Sequence, residues 1–270
     1  MCRPVCGAAS PYAMATSSQA SKISPAWRRR SLSFALWAHS GLNHGFITPS
    51  MQSSQSMPVA ILGAGQVGQS LGSALLAAGY PVRFGVPEPE KYRQLATAAE
   101  DRSVVVTTVE DAIETADLVV LATPYTAALQ IARAIPQWTG RILVDATNPI
   151  APGLAGLSVG TTTSGAEEIA KAAPTARVVK AFNTTGFENM RDPRYPGGNL
   201  FMPVAGDDAT ARQRVMALAM ALGFDAVDMG ELKAARYLEP WAMVWIEMAL
   251  KLGHGRHFGF VRMRAMNADR

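Results

Sequence analysis

The chain has 270 residues, of which 49% are hydrophobic and 17% are charged, and its formal net charge is +4. A chain of this length and composition can bury one substantial core, alone or with a small appended domain. Residues 1–56 contain five basic residues and no acidic one, so the remainder, with 20 basic and 21 acidic residues, carries a formal charge of −1. That remainder lacks the basic stripe with interleaved aromatic residues that binds nucleic acid, and we expect no nucleic-acid partner.

Both cysteines, Cys2 and Cys6, lie near the N-terminus, so the rest of the chain has no thiol for a disulfide, a metal site or a nucleophile. The longest apolar stretch lies near the C-terminus and is interrupted by Glu247 and Lys251. No segment therefore reaches the roughly 18 uninterrupted apolar residues of a membrane span. We expect a cytoplasmic protein without a membrane partner.

Residues 1–56 are rich in serine, basic and free of acidic residues, and they end in the polar run SMQSSQS. This composition predicts a disordered leader outside the fold. One interpretation is that translation begins at Met51 or Met57, so that most or all of the leader is not part of the protein. A transit peptide is a second interpretation and would place the protein in an organelle, while the run RRRSLSFALWA is also similar to a secretion signal.

From Met57 onwards, apolar runs of strand length alternate with segments of helical periodicity, which predicts a series of β-α-β units. The first predicted strands are PVAILG, VRFGV, SVVVTT, DLVVLA and RILVDA. Strands that are apolar throughout are typical of a parallel sheet covered by helices on both faces. The pattern therefore predicts an α/β fold with a doubly wound parallel sheet.

The pattern changes after Asp145, where a long loop rich in Gly, Pro and hydroxyl residues begins. A helix is predicted from Ser164, because Ser164 and Glu167 have the spacing of a capping box. Further predicted elements are a strand ARVVKAF, a strand NLFMPVAG, a helix from Asp208 and a strand FDAVDMG. A long terminal helix follows, and we expect Pro240 to bend or divide it.

A glycine-rich loop joins the first strand to the first helix. A GxGxxG motif is weak evidence alone, but a strand before it and a helix after it indicate a Rossmann dinucleotide-binding fold. The first glycine permits a tight turn, the second lets a pyrophosphate approach, and the third allows close helix packing. The predicted cofactor-binding residues here are Gly63, Ala64, Gly65, Gln66, Val67 and Gly68. We expect a Rossmann domain over residues 57–182 and a small C-terminal α/β domain over residues 183–270.

The end of the second strand determines the preference for NAD or NADP. An acidic residue there would accept from the ribose 2′-hydroxyl, but the sequence has Val86 followed by Pro87. Glu88 could take that acidic role, whereas Lys91 and Arg93 could reach a 2′-phosphate. We favour NADP(H) as the cofactor, with Lys91 as a binding residue, although a solvated helix face also explains these charges.

The usual proton donors of alcohol dehydrogenases are missing after the leader. The only histidines there, His254 and His257, lie near the C-terminus, no Tyr-x-x-x-Lys motif occurs, and no metal-ligand cluster is visible. We therefore name no catalytic residue and no metal. A hydride can pass between two cofactor rings without a protein acid, because a flavin-type ring delocalises the charge. A co-substrate with a flavin-type ring therefore suits a chain with so few proton-donating side chains.

Ligand-positioning groups are expected at the carboxyl ends of the strands. These strand ends form the crevice in which such folds bind their ligands. Lys180 is a cation near this crevice. An ion pair at the strand end and a role near phosphate or substrate are equally good interpretations of it. The two asparagines at these ends suit either ligand contact or a turn. The predicted cofactor contacts are Thr123, Pro124, Asn148 and Ala181, and the predicted substrate contacts are Asn183 and Thr184.

The motifs GAGQVG, DATNP, VVKAFNTTGFENM and VAGDD, in this order, resemble those of the F420-dependent NADP oxidoreductase family. The dinucleotide domain of the STEAP metalloreductases is similar around VVKAFNT. The resemblance implies hydride transfer between NADPH and C5 of the deazaflavin F420, and a C-terminal domain that often dimerises. It also implies that Ala64 to Val67 hold the pyrophosphate and Lys91 the 2′-phosphate, while Thr123, Pro124 and Ala181 line the nicotinamide. Val86-Pro87 departs from the small polar residue and Arg that family members commonly have there.

Three functions remain open from the sequence. The first is an NADP(H)-linked oxidoreductase with a flavin or deazaflavin partner. The second is a reductase of an imine or a β-hydroxyacid, with Lys180 or Lys171 as its acid. The third is a non-catalytic sensor that binds NADP(H). The apolar terminal helix suits either a homodimer interface or burial in the core.

Overall fold

The computed structural model describes residues 57–98 and 103–265. The predicted leader and both cysteines lie outside the described residues. The strands are β1 (Val59–Leu62), β2 (Val82–Gly85), β3 (Val104–Thr107), β4 (Leu118–Leu121), β5 (Ile142–Asp145), β6 (Arg177–Lys180), β7 (Arg194–Tyr195), β8 (Gly198–Asn199), β9 (Phe201–Gly206) and β10 (Asp225–Asp228).

Helices connect these strands, in agreement with the predicted alternation. The α-helices are α1 (Gln66–Ala77), α2 (Arg93–Ala98), α3 (Val109–Glu114), α4 (Tyr125–Ala134), α5 (Gly165–Ala172), α6 (Phe187–Met190), α7 (Ala209–Ala221) and α8 (Ala235–Ile246). Short 3₁₀ helices span Pro89–Tyr92, Pro152–Leu154 and Leu232–Ala234, and a π-helical turn, Glu247–Lys251, extends α8. None of the described helices combines the length and the apolar character that crossing a bilayer requires.

The central sheet has eight strands in the order β10-β9-β6-β5-β4-β1-β2-β3. Strands β1 to β6 are all parallel, in the order of a Rossmann fold. Alternate residues of β1 enter opposite cores: Ile61 belongs to the core that also contains residues of α1 and α7, and Leu62 to the core that also contains residues of α3, α4 and α5. The predicted α/β fold, doubly wound with an α/β extension, is confirmed.

The C-terminal extension departs from the expected parallel arrangement. Strand β9 pairs antiparallel with β6, and β10 pairs parallel with β9. The apolar pattern of a strand does not reveal its direction, so this reversal could not be predicted from the strand pattern. Because β9 and β10 continue the same sheet, the predicted boundary after residue 182 does not separate two sheets. A domain of its own over residues 183–270 stays a prediction. The hairpin of β7 and β8 was not predicted.

The predicted helix starts are confirmed in position. Ser164 caps α5 by accepting from the amide of Glu167, and Asp208 caps α7 by accepting from the amide of Ala211. The Glu167 carboxylate accepts from the Ser164 hydroxyl at 2.8 Å, a variant of the expected capping box. Pro240 is exposed and lies inside α8, and it does not divide that helix.

Candidate functional site

The glycine loop lies where β1 ends and α1 begins. Gly63 has a φ of +110°, and a Cβ at this position would lie 2.7 Å from the carbonyl oxygen of Ala122. A Cβ on Gly68 would lie 2.1 Å from the carbonyl oxygen of Gly63. Both glycines are therefore required by the backbone of the loop itself.

Gly65 is different from its two neighbours in the motif. Its φ of −75° suits any residue, and a Cβ would meet no atom within 4 Å. The fold gives no reason for a glycine here, and the open space beside its Cα is what a closely approaching ligand would need. This observation fits a dinucleotide pyrophosphate.

The start of α1 can hold an anion. Gly65 offers no side-chain cap, and the first turn, which contains Gln66 and Val67, has no acidic residue. The first amides of the helix and its positive dipole end are therefore available to phosphate oxygens. The Gln69 side chain donates to the carbonyl oxygen of Ala64 at 2.7 Å and so links α1 to the glycine loop.

The end of β2 carries an exposed ion pair. Lys91 Nζ lies 2.6 Å from Glu88 Oε1, and their side chains are 65% and 63% exposed. Arg93 pairs in the same way with Glu90. An exposed pair of this kind contributes little to stability, so Lys91 can exchange Glu88 for a phosphate at small cost.

The carboxyl ends of β5 and β6 meet through two asparagines. Asn148 Nδ2 donates to the carbonyl oxygen of Asn183 at 2.9 Å, and Asn183 Nδ2 donates to Asn148 Oδ1 at 3.0 Å. Ala181, also at the end of β6, is fully buried. The structure thus brings these predicted residues together and ties the loops after β5 and β6 to each other.

Buried polar atoms without a hydrogen-bond partner concentrate at this edge. In the described part of the chain, such atoms include Thr123 Oγ1, Asn183 Oδ1 and Thr184 Oγ1, all from predicted site residues. Pro124, which follows Thr123, is the exposed N-cap of α4. A buried polar group left unpaired costs about 1–3 kcal/mol. Three such groups at the ends of β4 and β6 are explained most simply by a polar ligand.

Backbone strain lies at the same edge. Phe182, between Ala181 and Asn183, has a φ of +61° and is 1% exposed. A bulky residue seldom adopts this left-handed conformation, which is retained where the surrounding structure fixes it, often at functional sites. The Phe182 amide donates to Met202 Sδ.

Lys180 does not point to the crevice. Its Nζ lies 2.9 Å from Asp145 Oδ2 and 3.0 Å from Glu239 Oε1, and its side chain is fully buried. Burial alone would lower the pKa of Lys180, but the charges and hydrogen bonds of the two carboxylates raise it above its usual value. The predicted strand-end ion pair is present. Glu239, from α8, was not predicted, and its only signal is an acidic residue within an apolar helix.

Tyr125 is the first residue of α4, beside the crevice. Burial, followed by the negative charges of Glu168, Glu239 and Asp145, raises the pKa of Tyr125 to about 12. Its phenol therefore keeps its proton at neutral pH. Among the described residues, no group of three or more His, Cys, Asp or Glu side chains is placed to hold a metal ion.

The comparisons with known proteins agree with this geometry. A model of the family described as "NADP oxidoreductase coenzyme F420-dependent" matches residues 58–149. A solved protein from Arthrobacter sp. FB24, assigned as an F420-dependent NADP-reductase, is 34% identical, with a TM-score of 0.69 over 77% of this chain and 100% of its own. A protein of Sinorhizobium meliloti is 30% identical, with a TM-score of 0.61 over 66% of this chain and 88% of its own.

A third relative is a longer protein. Metalloreductase STEAP3 of Rattus norvegicus is 31% identical over 182 residues, which are 67% of this chain. The match covers 35% of the length of STEAP3. The similarity therefore concerns one part of that metalloreductase.

Proposed function

Because this chain belongs to the family of F420-dependent NADP oxidoreductases, we propose that it transfers a hydride between NADP(H) and a flavin or deazaflavin of the F420 type. The observation that carries the proposal is the glycine loop. Two of its glycines are required by the fold, and the third leaves open space in front of an uncapped helix start. Bound NADP(H) would supply the hydride, and a flavin-type ring would accept it.

The pyrophosphate would lie against Ala64, Gly65, Gln66 and Val67, at the positive end of α1. Lys91 would leave Glu88 and bind the 2′-phosphate. A lysine that is free to bind a 2′-phosphate supports NADP(H) over NAD(H).

The nicotinamide end would lie at the carboxyl ends of β4, β5 and β6. Thr123, Pro124, Asn148 and Ala181 would line it, and the free hydroxyl of Thr123 would bind a polar group of the ligand. Asn183 Oδ1 and Thr184 Oγ1 are also free and would orient the second ring. These residues bind and orient, and none needs to transfer a proton.

The reductase of an imine or a β-hydroxyacid requires an acid, and the contacts of the two predicted lysines do not suit that role. Lys180 is enclosed by two carboxylates, and Lys171 Nζ is exposed and bonded to Glu168 at 2.8 Å. Lys180, whose pKa is raised by the two carboxylates, is a poor proton donor at neutral pH, and Lys171 is occupied by an exposed ion pair. The contacts of both lysines therefore favour the flavin-type partner.

The test is NADPH oxidation by the full chain with F420, FMN or FAD as acceptor. The loss of NADPH absorbance measures this oxidation. We expect rapid oxidation with at least one of these acceptors and slower oxidation of NADH. Oxidation with an imine in the absence of any flavin would support the imine reductase instead. NADPH binding in calorimetry without oxidation by any acceptor would contradict the proposal and favour the sensor.

We also infer a homodimer formed through α8. Its outer face exposes Tyr237, Trp241 and Val244, which follow each other at helical spacing and are 72%, 41% and 52% exposed. A contiguous exposed apolar face marks a protein contact. Trp241→Lys should convert a dimer into a monomer in sedimentation, and a monomeric wild-type chain would contradict the inference. The cytoplasmic location and the absence of a nucleic-acid partner stay predictions.

A further inference from the structure

Three charged side chains meet in the interior below the carboxyl ends of β5 and β6. Lys180 lies between Asp145 and Glu239, and the side chains of all three are at most 1% exposed. Burying charges costs free energy that an apolar cluster of similar volume does not cost, so such a network adds little to stability. Its hydrogen bonds with the surrounding backbone indicate that it fixes the positions of neighbouring segments.

The network holds backbone on two sides. Lys180 Nζ donates to the carbonyl oxygen of Thr147 at 2.6 Å, and Asp145 Oδ1 accepts from the amide and the hydroxyl of Thr147 at 2.9 and 2.7 Å. The Glu239 carboxylate accepts from the first two amides of α5 at 2.9 and 3.1 Å. The turn after β5 and the start of α5 are thereby fixed to α8.

A second bridge, made of amides, lies beside the charged one. Asn148 directly follows Thr147, and it bonds to Asn183 at the end of β6. Asn183 Nδ2 also donates to the carbonyl oxygen of Leu238 at 3.2 Å, and Leu238 directly precedes Glu239 on α8. The same three elements, the ends of β5 and β6 and helix α8, are thus joined twice.

We propose that Lys180 and Glu239 are positioning residues that hold Asn148 in register for the nicotinamide end of the dinucleotide and Asn183 in register for the second ring. The inference rests on the proposed function, since it assigns a ligand to this edge. Lys180 acts through Thr147 on Asn148, and Glu239 acts through the adjacent carbonyl of Leu238 on Asn183. Neither side chain contacts the ligand, because both are enclosed by protein.

The test compares the two ends of the site in Lys180→Met and Glu239→Gln variants of the full chain. Calorimetry with adenosine 2′,5′-bisphosphate measures binding at the end far from the network. The fluorescence of bound NADPH reports the surroundings of the nicotinamide ring. Matched controls are Lys251→Met and Glu247→Gln, which break a partly exposed pair with a distance of 2.8 Å on the extension of α8.

We expect the Kd of the bisphosphate to stay within about twofold of wild type, while the hydride-transfer rate falls about 100-fold, the cost of a misplaced reactant. The fluorescence enhancement of NADPH should be lost in both variants and kept in both controls. Glu239→Gln keeps the volume of the side chain, so it decides the question if Lys180→Met does not fold.

Two results would overturn the inference. One is equal weakening of bisphosphate and NADPH signals, which indicates general damage to the fold. The other is wild-type fluorescence and rate in Glu239→Gln, which shows that the network does not act on this edge. If the wild-type chain binds neither the bisphosphate nor NADPH, the proposed function itself is contradicted. That outcome is distinguishable from the two results above, because they concern the variants alone.

Discussion

The two ends of the crevice are built in different ways. At the ends of β1 and β2, the contacts come from backbone amides and from charges that face solvent: Gly65 lies beside open space, and Lys91 holds only an exposed Glu88. At the ends of β5 and β6, buried side chains bond to each other, as Asn148 and Asn183 do. The first end is suited to binding many phosphate oxygens, and the second to fixing one geometry.

This difference separates affinity from positioning. A helix start and an exchangeable lysine bind an anion without rearranging the interior. Hydride transfer, by contrast, requires two rings to be held at a fixed separation, which a buried network provides. Substitutions at the first end should therefore change Kd, and those at the second should change the rate.

The largest effect on stability is expected for Gly68→Ala, which disturbs the packing of the glycine loop against α1 at the first end. Its Cβ would lie 2.1 Å from the carbonyl oxygen of Gly63, so loop and helix must move apart. We expect the free energy of unfolding to fall by about 3 kcal/mol, as for other overpacked sites. Urea unfolding followed by circular dichroism measures this change. A wild-type urea midpoint would contradict the account of the loop.

Gly65→Ala is the matched counterpart of that variant. Since its Cβ meets no protein atom, the urea midpoint should not fall. The methyl group would, however, occupy the approach of the pyrophosphate, and we expect the Kd of NADPH to rise about 30-fold, or about 2 kcal/mol. Calorimetry measures this Kd. Unchanged affinity would mean that the pyrophosphate does not approach Gly65.

Lys91→Ala removes the solvent-exposed charge at the first end. Loss of a charge-assisted contact with the 2′-phosphate should raise the Kd of NADPH about tenfold, or about 1.4 kcal/mol, and leave that of NADH unchanged. Glu88→Gln is the control, and it should bind NADPH at least as tightly as wild type because Lys91 is then free. An equal loss for NADPH and NADH would exclude Lys91 as the 2′-phosphate contact.

The smallest effect is expected for Arg236→Gln, beside the second end. The hydrogen bonds of Arg236 lower the pKa of Glu167 below its ordinary value of 4.5. A carboxyl group with a lowered pKa stabilises the fold at pH values above its ordinary pKa. This stabilisation is lost as the pH falls through the lowered pKa. Wild type should thus have a slightly higher urea midpoint at neutral pH, and the difference should vanish in acid. A difference that persists in acid would point to packing instead.

The sequence predicted most of the first half of the molecule. Continuous apolar strands and the glycine loop follow from local rules, because a parallel sheet and a tight turn restrict residue types at each position. Ser164 and Asp208 likewise signal their helices through the residues next to them. The positions of Asn148 and Asn183 followed from the rule that ligands bind at strand ends.

The remaining features depend on contacts between distant residues. The reversal of β9 depends on the path of the chain after β6, which no strand pattern encodes. Glu239 meets Lys180 only because α8 folds back over the ends of β5 and β6. A buried carboxylate in an apolar helix suggests a partner, but the sequence does not say which lysine supplies it.

Transfer of deuterium from NADPH to F420 distinguishes direct hydride transfer from other routes of reduction. NADPH labelled with deuterium at the transferable position of C4 is mixed with the full chain and oxidised F420, and the reduced product is analysed by mass spectrometry. Direct hydride transfer predicts that the label appears on carbon C5 of F420, where it does not exchange with water. Reduced F420 without the label, or no reduction of F420 or of any flavin, would contradict the account.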